Sequence, residues 1–464
     1  MRRGIAVVCA SLLGLGCALT PDYQRPELNE PTAWIEPADG GESIANLDWW
    51  DVYQDEVLQD LIWTALGENQ DLASALARVQ EAEAQLTFTR ADQFPFLDVF
   101  GGYGRGRQSQ IQVPNARTVD TWAIDGQLSF EVDIWRRYQR ATEGARADLM
   151  ATEAAYRSVT ISLVAVVATT YFQLLDFDAR LAIARATVES RTESLEIVQA
   201  RFDKGTVPEL DVNQAQIELE IARAAVATFE RSVVQLRNAL SVLIGRFPGE
   251  IQRGEPLASH PFIPEVPPGL TSDLLQRRPD LVEAEQTLMA ETARIGVAEA
   301  LRFPSISLTG SIGAIAEELS DLNSNEAKAW NIAAGVFQPI FNSGQLKAQA
   351  RAQRARTEQA LQGFEGALRQ AFREVEDALV AVKTSRVEHA ARSRQVKAAR
   401  NAARLSRARY DGGVVDYLEV LDSERTLFSS ELDESATRQQ ALVAVVQLYK
   451  ALGGGWSPVP GTSP

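Results

Sequence analysis

Two stretches of this chain run without proline far longer than ordinary helices do. Arg137 to Phe202 is 66 residues with a single glycine, Gly144, and Gln345 to Asp411 is 67 residues. An average helix has about 12 residues, and at about 1.5 Å per residue each stretch reaches roughly 100 Å if unbroken. Each is followed by a glycine turn, Gly205 or Gly412-Gly413, and then by a second proline-poor segment, 209–244 or 416–452. Ala and Ser are dense along all four segments, which lets helices approach closely. Each pair reads as a long helical hairpin.

The two hairpins belong to an internal duplication. Ala200-Arg201-Phe202-Asp203-Lys204-Gly205 parallels Ala408-Arg409-Tyr410-Asp411-Gly412-Gly413 at an offset of 208 residues (409 − 201). Leu243-Ile244-Gly245 parallels Ala451-Leu452-Gly453 at the same offset. Asp71-Leu72 parallels Asp280-Leu281, and Phe94-Pro95 parallels Phe303-Pro304, at 209 (280 − 71). Four landmarks at a nearly constant offset mark a tandem repeat. The expected organisation is a signal peptide over 1–16 and an N-terminal tether over 17–55. A first repeat over 56–246, a linker over 247–272, a second repeat over 273–453 and a C-terminal tail over 454–464 follow. Prolines 248, 256, 261, 264, 267, 268 and 279 crowd the middle of the chain, and Pro21, Pro26, Pro31 and Pro37 extend the tether.

Each repeat has the order helix, two strands, long helix, glycine turn, helix. Residues 56–93 and 280–301 carry helical spacing (Leu58, Leu61, Ile62, Ala65, Leu66). The period then changes to 2. Trp122, Ile124, Leu128, Phe130 and Val132 alternate with Thr121, Asp125, Gln127, Ser129 and Glu131. Ile306, Leu308 and Ile312 alternate with serines and Thr309, and Trp330, Ile332 and Val336 alternate with Asn331, Ala333 and Gly335. Residues 96–112 form a poorer, glycine-rich strand. These runs are near the 9–11 residues that a tilted strand needs to cross a bilayer, and one apolar and one polar face is the pattern of a membrane barrel with a wet interior. Four strands cannot close a barrel, and open edges in lipid leave backbone groups unpaired at several kcal/mol each. Other copies must complete it. Three copies give 3 × 4 = 12 strands and 12 hairpin helices. The expected fold is therefore an α+β membrane channel, a homotrimeric 12-stranded β-barrel continued by a 12-helix α-barrel, with a mixed belt around its middle.

Composition narrows the chemistry. The net charge of -16 argues against a nucleic-acid partner, because phosphate contacts need basic patches. Two Cys and two His in 464 residues argue against a Cys/His metal site or a Cys-His nucleophile pair. No cofactor, metal or catalytic residue is expected, and His260 and His389 read as solvated surface residues. At the N-terminus Arg2-Arg3, an apolar run from Ile5 to Leu15 and Gly16-Cys17 form a secretory signal with a lipoprotein-type cleavage site. Cys17 is the expected lipid-attachment residue, and multiple acyl chains would hold it firmly in a membrane.

The start Cys17-Ala18-Leu19-Thr20-Pro21-Asp22-Tyr23-Gln24-Arg25-Pro26 resembles that of outer-membrane efflux lipoproteins of the TolC/OprM type, a NodT-like family of outer-membrane factors. So do Trp49-Trp50 with Leu58, Leu61, Asn69, Asp71 and Leu72, the motif Arg278-Pro279-Asp280-Leu281, and the two glycine turns. The resemblance runs from Cys17 to about Gly453. It implies a homotrimer in the outer membrane of a Gram-negative bacterium, lipid-anchored and extending into the periplasm. It also implies docking on a periplasmic adaptor (membrane fusion) protein and an inner-membrane pump of the RND type, with export of drugs or other small solutes.

Within that resemblance the hairpin tips are the functional candidates. Gly205, Gly412 and Gly413 match the adaptor-docking turns. Asp211, Glu419 and Asp422 match positions that constrict the periplasmic entrance, and Phe202 and Tyr410 match aromatic positions beside it. Glu419 and Asp422 are three apart and share a helix face; in a trimer each gives a ring of three carboxylates, which concentrates cations. Some relatives carry an Arg two residues after the second turn glycine, where this chain has Val415. Competing readings are the outlet of a type I secretion or heavy-metal export system and, from another class, a structural coiled-coil lipoprotein.

Overall fold

The computed structural model describes residues 22–27, 31, 33–35, 55–262 and 274–454. The expected signal segment, Cys17, Trp49-Trp50, residues 263–272 of the linker and residues 455–464 of the tail lie outside the described residues.

The first repeat consists of α1 (Glu56–Glu68), α2 (Gln70–Ala91), β1 (Phe96–Arg107), β2 (Thr118–Val132), α3 (Arg137–Asp203) and α4 (Glu209–Leu243). The second consists of α5 (Leu274–Arg277), α6 (Pro279–Ala300), β3 (Ser305–Ala316), β4 (Lys328–Phe337), α7 (Gln345–Asp411) and α8 (Tyr417–Ala451). The duplication is visible element by element. Helices α2 and α6 have 22 residues each, α3 and α7 have 67 each, and α4 and α8 have 35 each. The expected continuous helix over 56–93 is broken at Asn69. Its side chain accepts from the Leu72 amide at 3.0 Å, capping α2, and donates to the Leu243 carbonyl at 2.9 Å. An Asn at a cap competes with the helix ladder for backbone groups, which favours a break there. The strand expected to run to 112 ends at Arg107, and residues 108–117 form a turn with Asn115 at a φ of 65°.

Compactness divides the chain into two units, each assembled from both repeats: residues 1–27, 78–153 and 283–365, and residues 28–77, 154–282 and 366–464. The first holds the sheet. Its order is β1-β2-β3-β4, all antiparallel, so β1 and β4 are free edges. The register aligns apolar side chains in rows across the strands. Val99, Gly126, Ile312 and Trp330 form one row, and Leu97, Leu128, Gly310 and Ile332 another. The opposite face carries the row Asp98, Gln127, Ser311 and Asn331. Trp330, Ile332, Val99, Leu97 and Ile312 are all more than 70% exposed, a continuous uncovered apolar surface. Surfaces of this kind mark membrane or partner contact. The N-terminal segment is tied down in this unit: Asp22 pairs with Arg140 at 2.6 Å, and Tyr23 and Arg25 both reach Glu285.

The second unit is helical. Its core includes Ile62, Val167, Tyr171, Leu174, Leu219, Leu240, Val375, Val446 and Leu448, all buried. At its base Asp55 caps α1 through the amides of Val57 (2.8 Å) and Leu58 (3.1 Å). The same carboxylate accepts from Tyr171 Oη at 2.8 Å and lies 2.9 Å from His260 Nε2. His260 is therefore buried, contrary to the solvated position expected, because its ring is held against the Asp55 carboxylate. His389 is buried too, against the Phe262 ring, with its pKa lowered by burial and then by Arg438.

Candidate functional site

The two hairpin tips are built alike. The Gly205 amide bonds to the Phe202 carbonyl (2.7 Å) and the Thr206 amide to that of Arg201 (2.9 Å). In the second hairpin Gly413 bonds to Tyr410 (3.0 Å) and Val414 to Arg409 (2.9 Å). This paired pattern terminates a helix through a left-handed residue, and Gly205 and Gly413 have φ of 73° and 70°. Gly413, not Gly412, is the counterpart of Gly205, since Gly412 has no positive φ. A Cβ on either left-handed glycine would meet nothing within 4 Å, so both tips are open to a partner.

Behind the tips lies an apolar cluster that joins the hairpins. Val198 and Ala215 of the first pack with Tyr410, Tyr417, Val420 and Leu421 of the second. The Tyr410 and Tyr417 rings meet at a tilt of 51° with centroids 5.3 Å apart. Val415 packs against this cluster, so the place where some relatives have a cation is apolar here. Of the two aromatic residues expected beside the entrance, Tyr410 is buried and Phe202 is exposed. Tyr417 was missed by sequence reasoning. Its signal was its position four residues past Gly413 in the first turn of α8.

The three candidate carboxylates have different surroundings. Asp422 is exposed and has no ion pair among the described residues. Glu419 is exposed and pairs with Arg409 at 2.8 Å, so an opposite charge stands beside it. Asp211 is half-buried, and burial, followed by the nearby Asp416 charge, raises its pKa above the ordinary 3.8. Asp211 and Asp416 come from different hairpins, so like charge faces like charge between them. Arg201 spans the same gap, reaching Asp411 at 3.2 Å with its guanidinium over the Tyr410 ring.

Higher on the hairpins is a buried ionic network that the sequence did not announce. Arg191 on α3 pairs with Glu218 on α4 at 3.0 Å, and both are about 3% exposed. Arg425 on α8 also reaches Glu218 (2.5 Å), and Arg407 on α7 contacts both Glu424 (3.1 Å) and Ser194. Burial lowers the Arg191 pKa against the pull of Glu218 and Glu424, and burial raises that of Glu424. The network crosses from one hairpin to the other. Among the described residues no group of three or more His, Cys, Asp or Glu is placed to hold a metal ion.

A four-stranded sheet with an uncovered apolar face, joined in one chain to two hairpins of this length, defines a class: outer-membrane channels that continue into a helical conduit. The family model described as outer membrane efflux protein matches twice in series, over residues 61–246 and 270–454. The solvent efflux pump outer membrane protein SrpC of Pseudomonas putida is 37% identical over 469 residues, covering 98% of each chain. The cation efflux system protein CusC of Escherichia coli O157:H7 is 35% identical over 456 residues, covering 97% of this chain and 98% of its own. The solved outer-membrane channel OprN superposes with a TM-score of 0.89 at 29% identity, over 95% of this chain and 100% of its own. The chain belongs to the outer membrane efflux protein family. It is an outer-membrane efflux channel of the Gram-negative type that extends into the periplasm.

Proposed function

We propose that three copies of this chain form the exit duct of a tripartite efflux pump, passive in itself and gated at the hairpin tips. The observation that carries the assembly is the sheet: β1 and β4 are free edges, and an apolar face is exposed beside them. Pairing β4 of one copy with β1 of the next satisfies both edges and closes 3 × 4 = 12 strands, an even number within the known range for bacterial barrels. The adaptor docks on the turns at Gly205 and Gly412-Gly413, and the inner-membrane pump is of the RND type. Cys17 carries the lipid anchor. The reading assigns no catalysis and no cofactor to the chain.

The gate is assigned to Asp211, Glu419 and Asp422, with Phe202 and Tyr410 beside them. Asp422 supplies an exposed carboxylate without an ion pair and Asp211 a second carboxylate near the gate, so the acidic rings favour cations and retard anions. Single-channel conductance in planar bilayers tests this. The wild type should conduct weakly and select cations, and Glu419→Ala/Asp422→Ala should conduct more and select less. Conductance that does not change in this variant would remove the gate assignment. A second reading, the outlet of a cation exporter, is favoured by the similarity to CusC. Selection would then rest with the pump, and cation export in cells carrying each candidate pump would separate the two.

A further inference from the structure

We propose that Arg136 binds the phosphate of an anionic phospholipid at the rim of the barrel. The residue stands between β2 and α3, immediately before the helix begins at Arg137. Its backbone is left-handed, with a φ of 59°. Among the described residues the other non-glycine positions with positive φ are Asn115 and Ser343, both short and polar, so Arg136 is the one long side chain held this way.

The internal repeat shows what the position requires. Residue 344, 208 positions later (344 − 136), stands immediately before α7, which begins at Gln345. That residue is Gly344, with a φ of 83°. Both residues give their carbonyl to the amide four positions on, Arg140 at 2.8 Å and Ala348 at 2.9 Å. The fold therefore needs a left-handed residue at this junction, and glycine meets the need without strain. The first repeat places an arginine there at a cost in stability. Arg136 is exposed, and its side chain has no hydrogen bond or ion pair among the described residues to offset that cost. Its basic neighbours are all engaged. Arg137 pairs with Glu131, Arg140 with Asp22 and Glu143, and Arg302 with Glu299. Asp22 feels the Arg136 charge but spends its ion pair on Arg140.

The surroundings point to lipid. The register puts Phe96, Val132, Ser305 and Phe337 at one end of the sheet, the end from which all its helical connections leave. Trp135 lies there with its Nε1 donating to the Pro304 carbonyl at 2.7 Å and its ring 4.8 Å from that of Phe303. Ile134, Phe337, Ile340 and Phe341 are exposed at the same rim. Aromatic and aliphatic side chains with an arginine among them mark the boundary between hydrocarbon and headgroups, where a guanidinium reaches phosphate with planar, paired hydrogen bonds. Asp22, paired with Arg140 and within the field of Arg136, lies five residues after Cys17, a span of at most about 18 Å. An acylated Cys17 would keep this rim in the headgroup layer.

Native mass spectrometry of the intact full-length assembly tests the assignment, with dioleoylphosphatidylglycerol or dioleoylphosphatidylcholine titrated into neutral detergent. The wild type should retain the anionic lipid preferentially. Arg136→Gly and Arg136→Gln should each lose about fivefold of that preference per chain, the worth of one basic residue at an anionic surface. Arg136→Gly should also be at least as heat-stable as the wild type in lipid-free detergent, because the strained backbone is relieved. A wild type without the preference, or variants that keep it, would overturn the proposal. So would complete displacement of the lipid by inorganic phosphate, which would make this a free-anion site. Loss of assembly in lipid-free detergent by both variants would show instead that Arg136 pairs with a carboxylate of a neighbouring copy.

Discussion

Glu218→Ala isolates the ionic network that crosses between the hairpins. The substitution leaves Arg191, about 3% exposed, without its ion-pair partner. Removing one member of a buried pair costs about 3–5 kcal/mol, because the remaining charge stays desolvated. Arg191 keeps its bond to the Glu218 backbone carbonyl at 2.5 Å, which places the cost at the lower end, about 3 kcal/mol. Arg425 is half-exposed and regains water, so its lost pair adds under about 1 kcal/mol. Global melting of a multi-chain membrane protein does not yield a defined free energy, whereas local opening does. The assay is amide hydrogen exchange of peptides spanning 188–222 and 421–428 in the detergent-solubilised assembly. About 3 kcal/mol corresponds to a loss of protection of about a hundredfold, at about 1.4 kcal/mol per factor of ten. The double variant Arg191→Met/Glu218→Leu removes both charges and should recover most of that protection. A change of less than about threefold in Glu218→Ala, or a double variant no better than the single, would refute the argument that the cost is an uncompensated buried charge on Arg191.

Asp55→Ala should open the start of α1 by about 1 kcal/mol for the lost cap, with a further 1–3 kcal/mol, roughly, for the orphaned Tyr171 and His260 groups, read as faster exchange at Val57 and Leu58. Burial pushes the Asp55 pKa up, but hydrogen bonds from His260, the Leu58 amide and Tyr171 outweigh it and hold the group below its ordinary 3.8. Its contribution is therefore complete above the unfolded value and is lost as pH falls through the lower folded value, so exchange at these amides should accelerate only on acidification below about pH 4. Gly205→Ala meets open space and should cost only the left-handed strain, about 1 kcal/mol, whereas a Cβ at Gly245 would overlap the Glu68 backbone and Gly245→Ala should cost well over that, as limited proteolysis of the two hairpin ends would show. Ile332→Arg on the apolar row should lower the yield of membrane-inserted protein by a penalty of about 2–4 kcal/mol near the midplane, while Asn331→Arg on the opposite face should insert normally in a heat-modifiable gel-mobility assay.

The periodic features were legible in the sequence because they are local. Proline-free length marked the long helices, alternation marked the apolar rows of the sheet, and the offset of 208–209 residues marked the duplication. The tip glycines were legible because a helix reversal needs a left-handed residue. The remainder was set by partners far away in sequence. Glu218 and Arg425 are 207 positions apart, and nothing in the neighbourhood of either marks the pair. His260 looked solvated because it follows prolines; it is buried because Asp55, 205 positions earlier, accepts it. Tyr410 sits in a motif that places it beside the entrance, but the cluster that buries its ring, with Tyr417 and Val198, joins residues far apart in sequence.

The channel depends on a sheet that one chain leaves unfinished. The mass of the intact, detergent-solubilised assembly tests this most directly. Three mature chains per particle would give 12 strands with β1 and β4 paired around the ring. A stable single chain, or a pair, would leave edges open in lipid and would contradict the channel as described.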